Sequence, residues 1–139
     1  IRAYFKDIPL TNGSGETTIE DFELASISRF EIIKGAASSI YGAGLGGVIH
    51  LKPQNAFLNQ TDLKTEFSIG SFGLTKGIIN LNHGTNTNSF RVVYSYTNSD
   101  GYRENNEYNR QTFTINTNHF LNKKNELNQF HSATSGANT

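Results

Sequence analysis

Five glycines lie in the segment KGAASSIYGAGLGGVIHLKP, residues 34–53, and they raise the first question of chemistry. From Gly42 to Gly47 they match G-x-G-x-x-G, the loop that cradles the pyrophosphate of a dinucleotide. That loop needs a strand before it and a long helix after it, because the helix N-terminus holds the phosphate. Here ASSIY, which favours a helical turn, precedes the loop, and a β-branched strand ended by Pro53 follows it. The context argues against nucleotide binding.

The same glycines predict a structural role that requires no ligand. They are expected to supply positive φ angles and close backbone packing in a tight turn between helix and strand. The candidates for this role are Gly35, Gly42, Gly46 and Gly47.

The remaining reactive side chains form no constellation typical of catalysis or metal binding. The chain has no cysteine, and its histidines are scattered without the spacing of a metal site, at His50, His83, His119 and His131. We therefore expect no enzyme, no bound metal and no cofactor. Twelve Lys and Arg balance twelve Asp and Glu, so the chain has no net field that would attract nucleic acid.

Two opposite charges stand two residues apart in the alternating segment SRFEIIK, which predicts a strand. Side chains two residues apart in a strand point to the same face, so Arg29 and Glu31 share one. A local ion pair and a bridge to another structural element are both compatible with this spacing.

The elements that position these residues fall into two regions joined by a polar connector at 54–62. Residues 1–53 predict a compact mixed region of short strands, one Gly- and Ser-rich loop and brief helical turns. The loop and the two expected helical turns are, in chain order, TNGSGETT (11–18), IEDFELASIS (19–28) and AASSIYG (36–42).

The second region, residues 63–139, alternates apolar and polar side chains over segments of about ten residues, which is typical of strands. Four such segments are LKTEFSIG (63–70), LTKGIINLNH (74–83), SFRVVYSYT (89–97) and QTFTINTNHFL (111–121). A fifth begins at Glu126, and no regular structure is predicted for the tail SATSGANT. The connections are tight or short at 70–73, 83–88 and 122–125, but long and polar at 98–110.

Two architectures fit this alternation. A soluble antiparallel sheet with one buried face shows it, and so does a transmembrane β-barrel, whose tilted strands of about ten residues cross the bilayer. The polar faces carry Asn, Thr and Ser rather than Lys and Glu, and aromatic residues stand near strand ends, at Phe72, Phe90, Tyr96 and Phe120. These details favour the barrel, and since four or five strands cannot close one, we expect further strands in a longer parent chain.

The segment ISRFEIIKGAASSIYGAGLGGVIHLKP, residues 27–53, resembles the plug-domain signature of TonB-dependent outer-membrane receptors, I-E-R-I-E-V-L-R-G-P-A-S-x-L-Y-G-x-x-A-x-G-G-V-I-N-I-x-T-K. Positions that match are Ile27, Arg29, Glu31, Ile32, Gly35, Ala37, Ser38, Tyr41, Gly42, Gly46, Gly47, Val48 and Ile49. Departures are Ser28, Ala36 and His50, which replace the usual Glu, Pro and Asn. YFKDIPL similarly resembles an earlier plug strand with D-G-x-P, where Asp7 and Pro9 match and Ile8 departs.

The resemblance implies a mainly β chain: a mixed α/β plug-domain fragment at 1–53, then antiparallel strands of a transmembrane β-barrel at 63–139. In this family the plug sits inside a barrel of about 22 strands. The TonB–ExbB–ExbD complex, energised by the proton-motive force, pulls on the plug to admit a scarce ligand. The family implies the outer membrane of a Gram-negative bacterium. IRAYFKDIPL has no starting Met, so we expect the TonB box and first half of the plug to precede this chain.

The implied topology places loops 70–73 and 98–110 outside the cell and the other two turns in the periplasm. Ligand contacts are then expected from the plug loop at 11–18 and from the long outer loop. The candidates are Asn12, Ser14, Glu16, Tyr102, Arg103 and Tyr108. The tyrosines offer flat rings and hydroxyls, and the arginine could meet an anionic chelate. Inside a water-lined barrel, we expect Arg29 and Glu31 to bridge the plug to the barrel wall.

The resemblance also bears on the cargo. The branch that imports glycans or peptides usually shows K-D-A-S-A-x-A-x-Y-G-x-R-A here, and this chain lacks its Asp and its Arg. We therefore expect import of a ferric siderophore. Cobalamin, haem, a glycan or a peptide remains the alternative cargo, and a β-rich surface adhesion module without transport is the alternative class.

Overall fold

The computed structural model describes residues 2–6, 8–12, 14–17, 19, 23–35, 46–53, 58–103, 106–121 and 125–138. The chain divides into two compact units, Ile1–Gln54 and Asn55–Thr139. Each unit contains one sheet.

The first unit is built on a four-stranded mixed sheet. Its strands are β1 (Arg2–Phe5), β2 (Ile8–Pro9), β3 (Ile27–Ile33) and β4 (Val48–Pro53), in the spatial order β2-β1-β4-β3. Strands β1 and β4 run parallel, whereas β1–β2 and β3–β4 are antiparallel. The apolar side chains buried in this sheet, which form its small core, are Ala3, Phe5, Val48 and Leu51.

The expected helical turn within 19–28 is shorter than an α-helix. It is a single 3₁₀ turn, Leu24–Ser26, capped by Glu23, whose backbone carbonyl accepts a hydrogen bond from the Ser26 hydroxyl at 2.7 Å. A turn this short ends because Ile27 already pairs with Pro53 in the β3–β4 ladder. The second expected helical turn, at 36–42, lies outside the described residues.

Gly47 shows why the glycine segment needs its glycines. Its φ is +114°, a conformation that side chains rarely adopt, and an added Cβ would lie 2.5 Å from the carbonyl oxygen of Ile33. Gly35, at the other end of the connection between β3 and β4, has φ +103°. Gly46 is exposed in the turn before β4, and Gly42 lies outside the described residues. The backbone therefore approaches too closely at Gly47 for any other residue.

The second unit is a five-stranded antiparallel sheet in chain order, with each strand hydrogen-bonded to the next. Its strands are β5 (Thr61–Ile69), β6 (Thr75–Gly84), β7 (Asn88–Ser99), β8 (Tyr108–Phe120) and β9 (Glu126–Asn138). In the described part of the chain, no helix is long and apolar enough to span a membrane.

Two sequence expectations for this sheet are wrong. The tail from Ser132 forms regular structure, since β9 continues to Asn138 by pairing with β8 from Phe120 back to Tyr108. The backbone hydrogen bonds to β8 stabilise this tail, although its side chains show no apolar pattern. Pairing between β7 and β8 extends these strands to Ser99 and Tyr108, so the long connection spans 100–107 rather than 98–110.

Burial in this sheet is the reverse of that in a soluble sheet. Polar side chains occupy much of the buried face, and Arg91 and Asn116 are 3% and 4% exposed. The opposite face exposes large apolar side chains, which are Leu63, Phe67, Ile69, Ile79, Phe90, Tyr94, Phe113 and Leu127. The strand register aligns the apolar faces of neighbouring strands. One row of directly paired residues consists of Thr65, Ile79, Tyr94 and Phe113.

Candidate functional site

The loop that contains Asn12, Ser14 and Glu16 is organised around the side chain of Asn12. Its Oδ1 accepts hydrogen bonds from the backbone N–H of Ser14 at 3.1 Å, the Ser14 hydroxyl at 2.7 Å and the backbone N–H of Glu16 at 2.9 Å. Its Nδ2 donates to Glu16 Oε2 at 3.0 Å. At the two ends of the loop, the hydroxyls of Thr11 and Thr17 lie 2.8 Å apart. The structure thus brings together all three predicted ligand contacts of this loop.

This network divides the roles of the three residues. The Asn12 amide is engaged at both ends, so Asn12 shapes the loop in the manner of an Asx turn. Ser14 and Glu16 are exposed and bonded mainly to Asn12, which leaves the carboxylate of Glu16 at the surface in a defined orientation. The loop is therefore preorganised to present polar oxygens.

The three ligand contacts predicted for the outer loop do not all lie in the loop. Tyr102 and Arg103 are exposed in the connection between β7 and β8. Tyr108 is instead the first residue of β8, where its hydroxyl accepts a hydrogen bond from Arg110 Nη1 at 3.4 Å. Tyr102 therefore has the more open position of the two tyrosines.

Sequence reasoning missed the residue that Tyr102 contacts. The Phe72 ring packs edge-to-face against the Tyr102 ring, with centroids 5.3 Å apart. The signal was present in the sequence, because Phe72-Gly73 occupies a hairpin turn where Asn-Gly is usual. What joins the two rings is the meeting of two loops, which no local pattern reveals.

Arg29 and Glu31 form the predicted same-face pair, and a third residue joins them. Arg29 Nη2 lies 2.6 Å from Glu31 Oε1, and Lys52 Nζ lies 2.8 Å from Glu31 Oε2. Lys52 reaches the carboxylate because it pairs with Arg29 in the β3–β4 register. The pair therefore exists as a local ion pair within the sheet of the first unit, and its bridging role stays a prediction.

The charges around Glu31 change its acidity. The hydrogen bond from Lys52 lowers the pKa of Glu31 below its usual value of 4.5, desolvation opposes this, and the Arg29 charge adds to the lowering. A lowered pKa means that the folded state binds the proton less tightly than the unfolded state. The contribution to stability is therefore fully present above pH 4.5 and is lost as the pH falls through the lowered value.

We expect Glu31→Gln to remove this part of the pH dependence. Above pH 4.5 the wild type should be slightly more stable than the variant, because the ion pairs are exposed and worth little. Below that pH the difference should shrink. Thermal unfolding of the purified protein across the acid range measures it, with Lys52→Gln as the matched variant from the other side of the pair. A difference that grows on acidification would contradict the assignment.

No group of three or more metal-ligating side chains occurs among the residues that the structure describes. The candidate residues form separate groups: a polar loop and a charged strand in the first unit, and an aromatic pair in the second.

Several known proteins resemble this chain. The TonB-dependent receptor plug domain family matches residues 2–48. The pyoverdine outer membrane receptor FpvA of Pseudomonas aeruginosa, bound to pyoverdine, superposes with a TM-score of 0.81 at 17% identity over 97% of this chain and 20% of that one. The siderophore receptor PiuA of Acinetobacter baumannii gives 0.75 at 20% identity over 96% and 19%.

A copper transporter, OprC, is also similar, with a TM-score of 0.68 at 13% identity over 80% of this chain and 18% of that one. The chain spans about a fifth of the length of these solved receptors. At these identities the likeness is one of fold. The expected fold class, mainly β with plug and barrel strands, is confirmed.

Proposed function

Because residues 2–48 match the TonB-dependent receptor plug domain family, we propose that this chain belongs to an outer-membrane receptor, not an enzyme, that imports a scarce ligand. The observation that carries the proposal is the reversed burial of the five-stranded sheet. Its large apolar side chains are exposed, while Arg91, Asn116 and Asn118 are buried on the other face. This distribution is the one expected of a barrel wall whose apolar face contacts lipid and whose polar face lines the barrel interior.

A soluble sheet would have the opposite distribution. Eight large apolar side chains exposed on one sheet face in water would form a patch of the kind that marks an interface or causes aggregation. In lipid the same face lowers the free energy through apolar contact, and the ladders from β5 to β9 satisfy the backbone groups between neighbouring strands. The lengths of β6 to β9, 10 to 13 residues, are sufficient for tilted strands to cross the hydrocarbon layer.

We propose a ferric siderophore as the cargo. Two of the solved receptors with this fold, FpvA and PiuA, are siderophore receptors. Because the copper transporter OprC has a similar fold, a different cargo is the alternative. In this proposal the loop around Asn12 and the outer residues Tyr102, Arg103 and Tyr108 contact the chelate. We also propose that Arg29 and Glu31 bridge the plug to the barrel wall, through contacts that pulling on the plug would break.

The proposed partners follow from the family. The TonB–ExbB–ExbD complex would act on a segment of the receptor outside this chain, and outer-membrane lipid would contact the exposed face of β5 to β9. The proposed location is the outer membrane of a Gram-negative bacterium.

Uptake of radioactive iron tests the proposal in cells. A deletion strain should lose uptake of one ferric siderophore, and the full-length gene on a plasmid should restore it. Collapse of the proton-motive force should abolish the restored uptake. Undiminished use of every ferric chelate, with loss of cobalamin, haem or a glycan, would contradict the cargo. Restored uptake that persists without proton-motive force would contradict the transport mechanism.

A further inference from the structure

The hairpin turn between β5 and β6 has a residue that the turn itself does not favour. The backbone N–H of Leu74 donates to the carbonyl of Ser71 at 3.3 Å, and the two central residues both have positive φ, +58° at Phe72 and +65° at Gly73. This is the pattern of a type I′ turn, which prefers Asn-Gly because bulky residues rarely adopt positive φ. Phenylalanine at the first position is therefore a source of strain.

Burial does not compensate for that strain. Phe72 is 54% exposed, and its neighbour in space, Tyr102, is 75% exposed. The two rings stand at 90° with centroids 5.3 Å apart, a favourable geometry that leaves ring surface open. Strained residues of this kind cluster at ligand contacts, where function retains them.

The two loops that carry the rings are tied to each other. The Phe72 carbonyl accepts a hydrogen bond from the backbone N–H of Asp100 at 2.8 Å and another from the Ser99 hydroxyl at 3.3 Å. The backbone N–H of Gly101 in turn donates to the Ser99 hydroxyl oxygen at 3.2 Å. The Asp100 carboxylate lies beside Gly73, so the second loop also approaches the turn at this residue. The ring pair is thus held in place before any ligand arrives, which lowers the entropy cost of binding.

We propose that Phe72 and Tyr102 form an aromatic contact for a planar aromatic group of the imported ligand. The inference rests on the proposed function and narrows its cargo to iron chelates that carry such a group. Both rings lie at the end of the sheet with the long 100–107 connection, which is the outer end in barrels of this type. A preformed ring pair there adds a third ring by edge-to-face or offset stacking, which an aliphatic chelate cannot do.

The test compares two ferric chelates, one catecholate and one aliphatic hydroxamate, on the purified full-length receptor. Phe72→Asn removes the ring and suits the turn, so it should leave the unfolding temperature unchanged or raise it. It should weaken binding of the catecholate about 3- to 10-fold, as expected for one stacking contact, and leave the hydroxamate unaffected. Tyr102→Leu should do the same. Phe67→Leu removes another exposed ring of the same hairpin and should change neither affinity.

Several results would overturn the inference. The aromatic contact would be ruled out if Phe72→Asn weakened the binding of both chelates equally. It would also be ruled out if the variant bound both chelates as tightly as the wild type does. A lower unfolding temperature in lipid vesicles with both affinities intact would assign the ring to the membrane interface instead. Wild-type binding of the hydroxamate alone would contradict the aromatic contact but keep the siderophore proposal, whereas wild-type binding of neither chelate contradicts both.

Discussion

Replacing Ile79 with lysine is expected to prevent stable insertion of the barrel. Ile79 is 49% exposed near the middle of β6, in the row that also contains Tyr94 and Phe113. If this face meets lipid, a charge there costs about 2–4 kcal/mol at the membrane midplane. In a soluble sheet the same change at a half-exposed position would cost less than about 0.5 kcal/mol. The variant therefore separates the two architectures by their largest energetic difference.

The measurement is the amount of folded receptor in the outer-membrane fraction, followed by denaturant unfolding in vesicles. The matched control is Glu66→Lys, an equally simple change on the polar face, next to Ile79 in the ladder because Glu66 pairs with Ile78. We expect the control to insert and the Ile79→Lys variant to be degraded. Normal insertion of both variants would contradict the assignment of the exposed face to lipid.

Replacing Gly47 with alanine is expected to disrupt the plug sheet. The added Cβ would lie 2.5 Å from the Ile33 carbonyl oxygen, and the residue would hold φ at +114°. Neither neighbour can move away, because Ile33 pairs with Val48 in the β3–β4 ladder. Positive φ strain and backbone overlap together should cost about 2–4 kcal/mol.

Amide hydrogen exchange in the full-length receptor detects this loss. The amides of β3 and β4 should exchange faster in the Gly47→Ala variant, while those of β6 and β7 keep their protection. Gly35→Ala is the control for strain alone, since its φ is +103° but no atom of the described residues lies within 4 Å of the added Cβ. It should produce a smaller effect. Equal effects of both variants would mean that the close approach of Ile33 is unimportant.

Much of the second unit was predictable from residue order. In a strand, alternate side chains point to opposite faces whatever the partner strand is, so Ile79 and Leu81 could be assigned to one face by counting. The glycines of the first unit were predictable for a related reason, because only glycine readily adopts positive φ. Both inferences depend on covalent geometry alone.

The extent of β9 was not predictable in this way. Its tail lacks an apolar pattern, and it forms a strand because β8 supplies hydrogen-bond partners along its length. Lys52 likewise joins Glu31 only through the β3–β4 register, and Phe72 meets Tyr102 only because two loops lie side by side. These contacts join residues that are distant along the chain.

The sequence by itself thus determined the alternating faces, the need for glycine and the kinship of the first 53 residues, since each depends on residue type and local spacing. Only the tertiary structure decided that the polar face is the buried one and that Asn12 organises its loop. It alone also showed that an ion triad and a ring pair exist. The reason is physical: burial and long-range contacts are set by strand pairing, which brings together residues that local preferences do not connect.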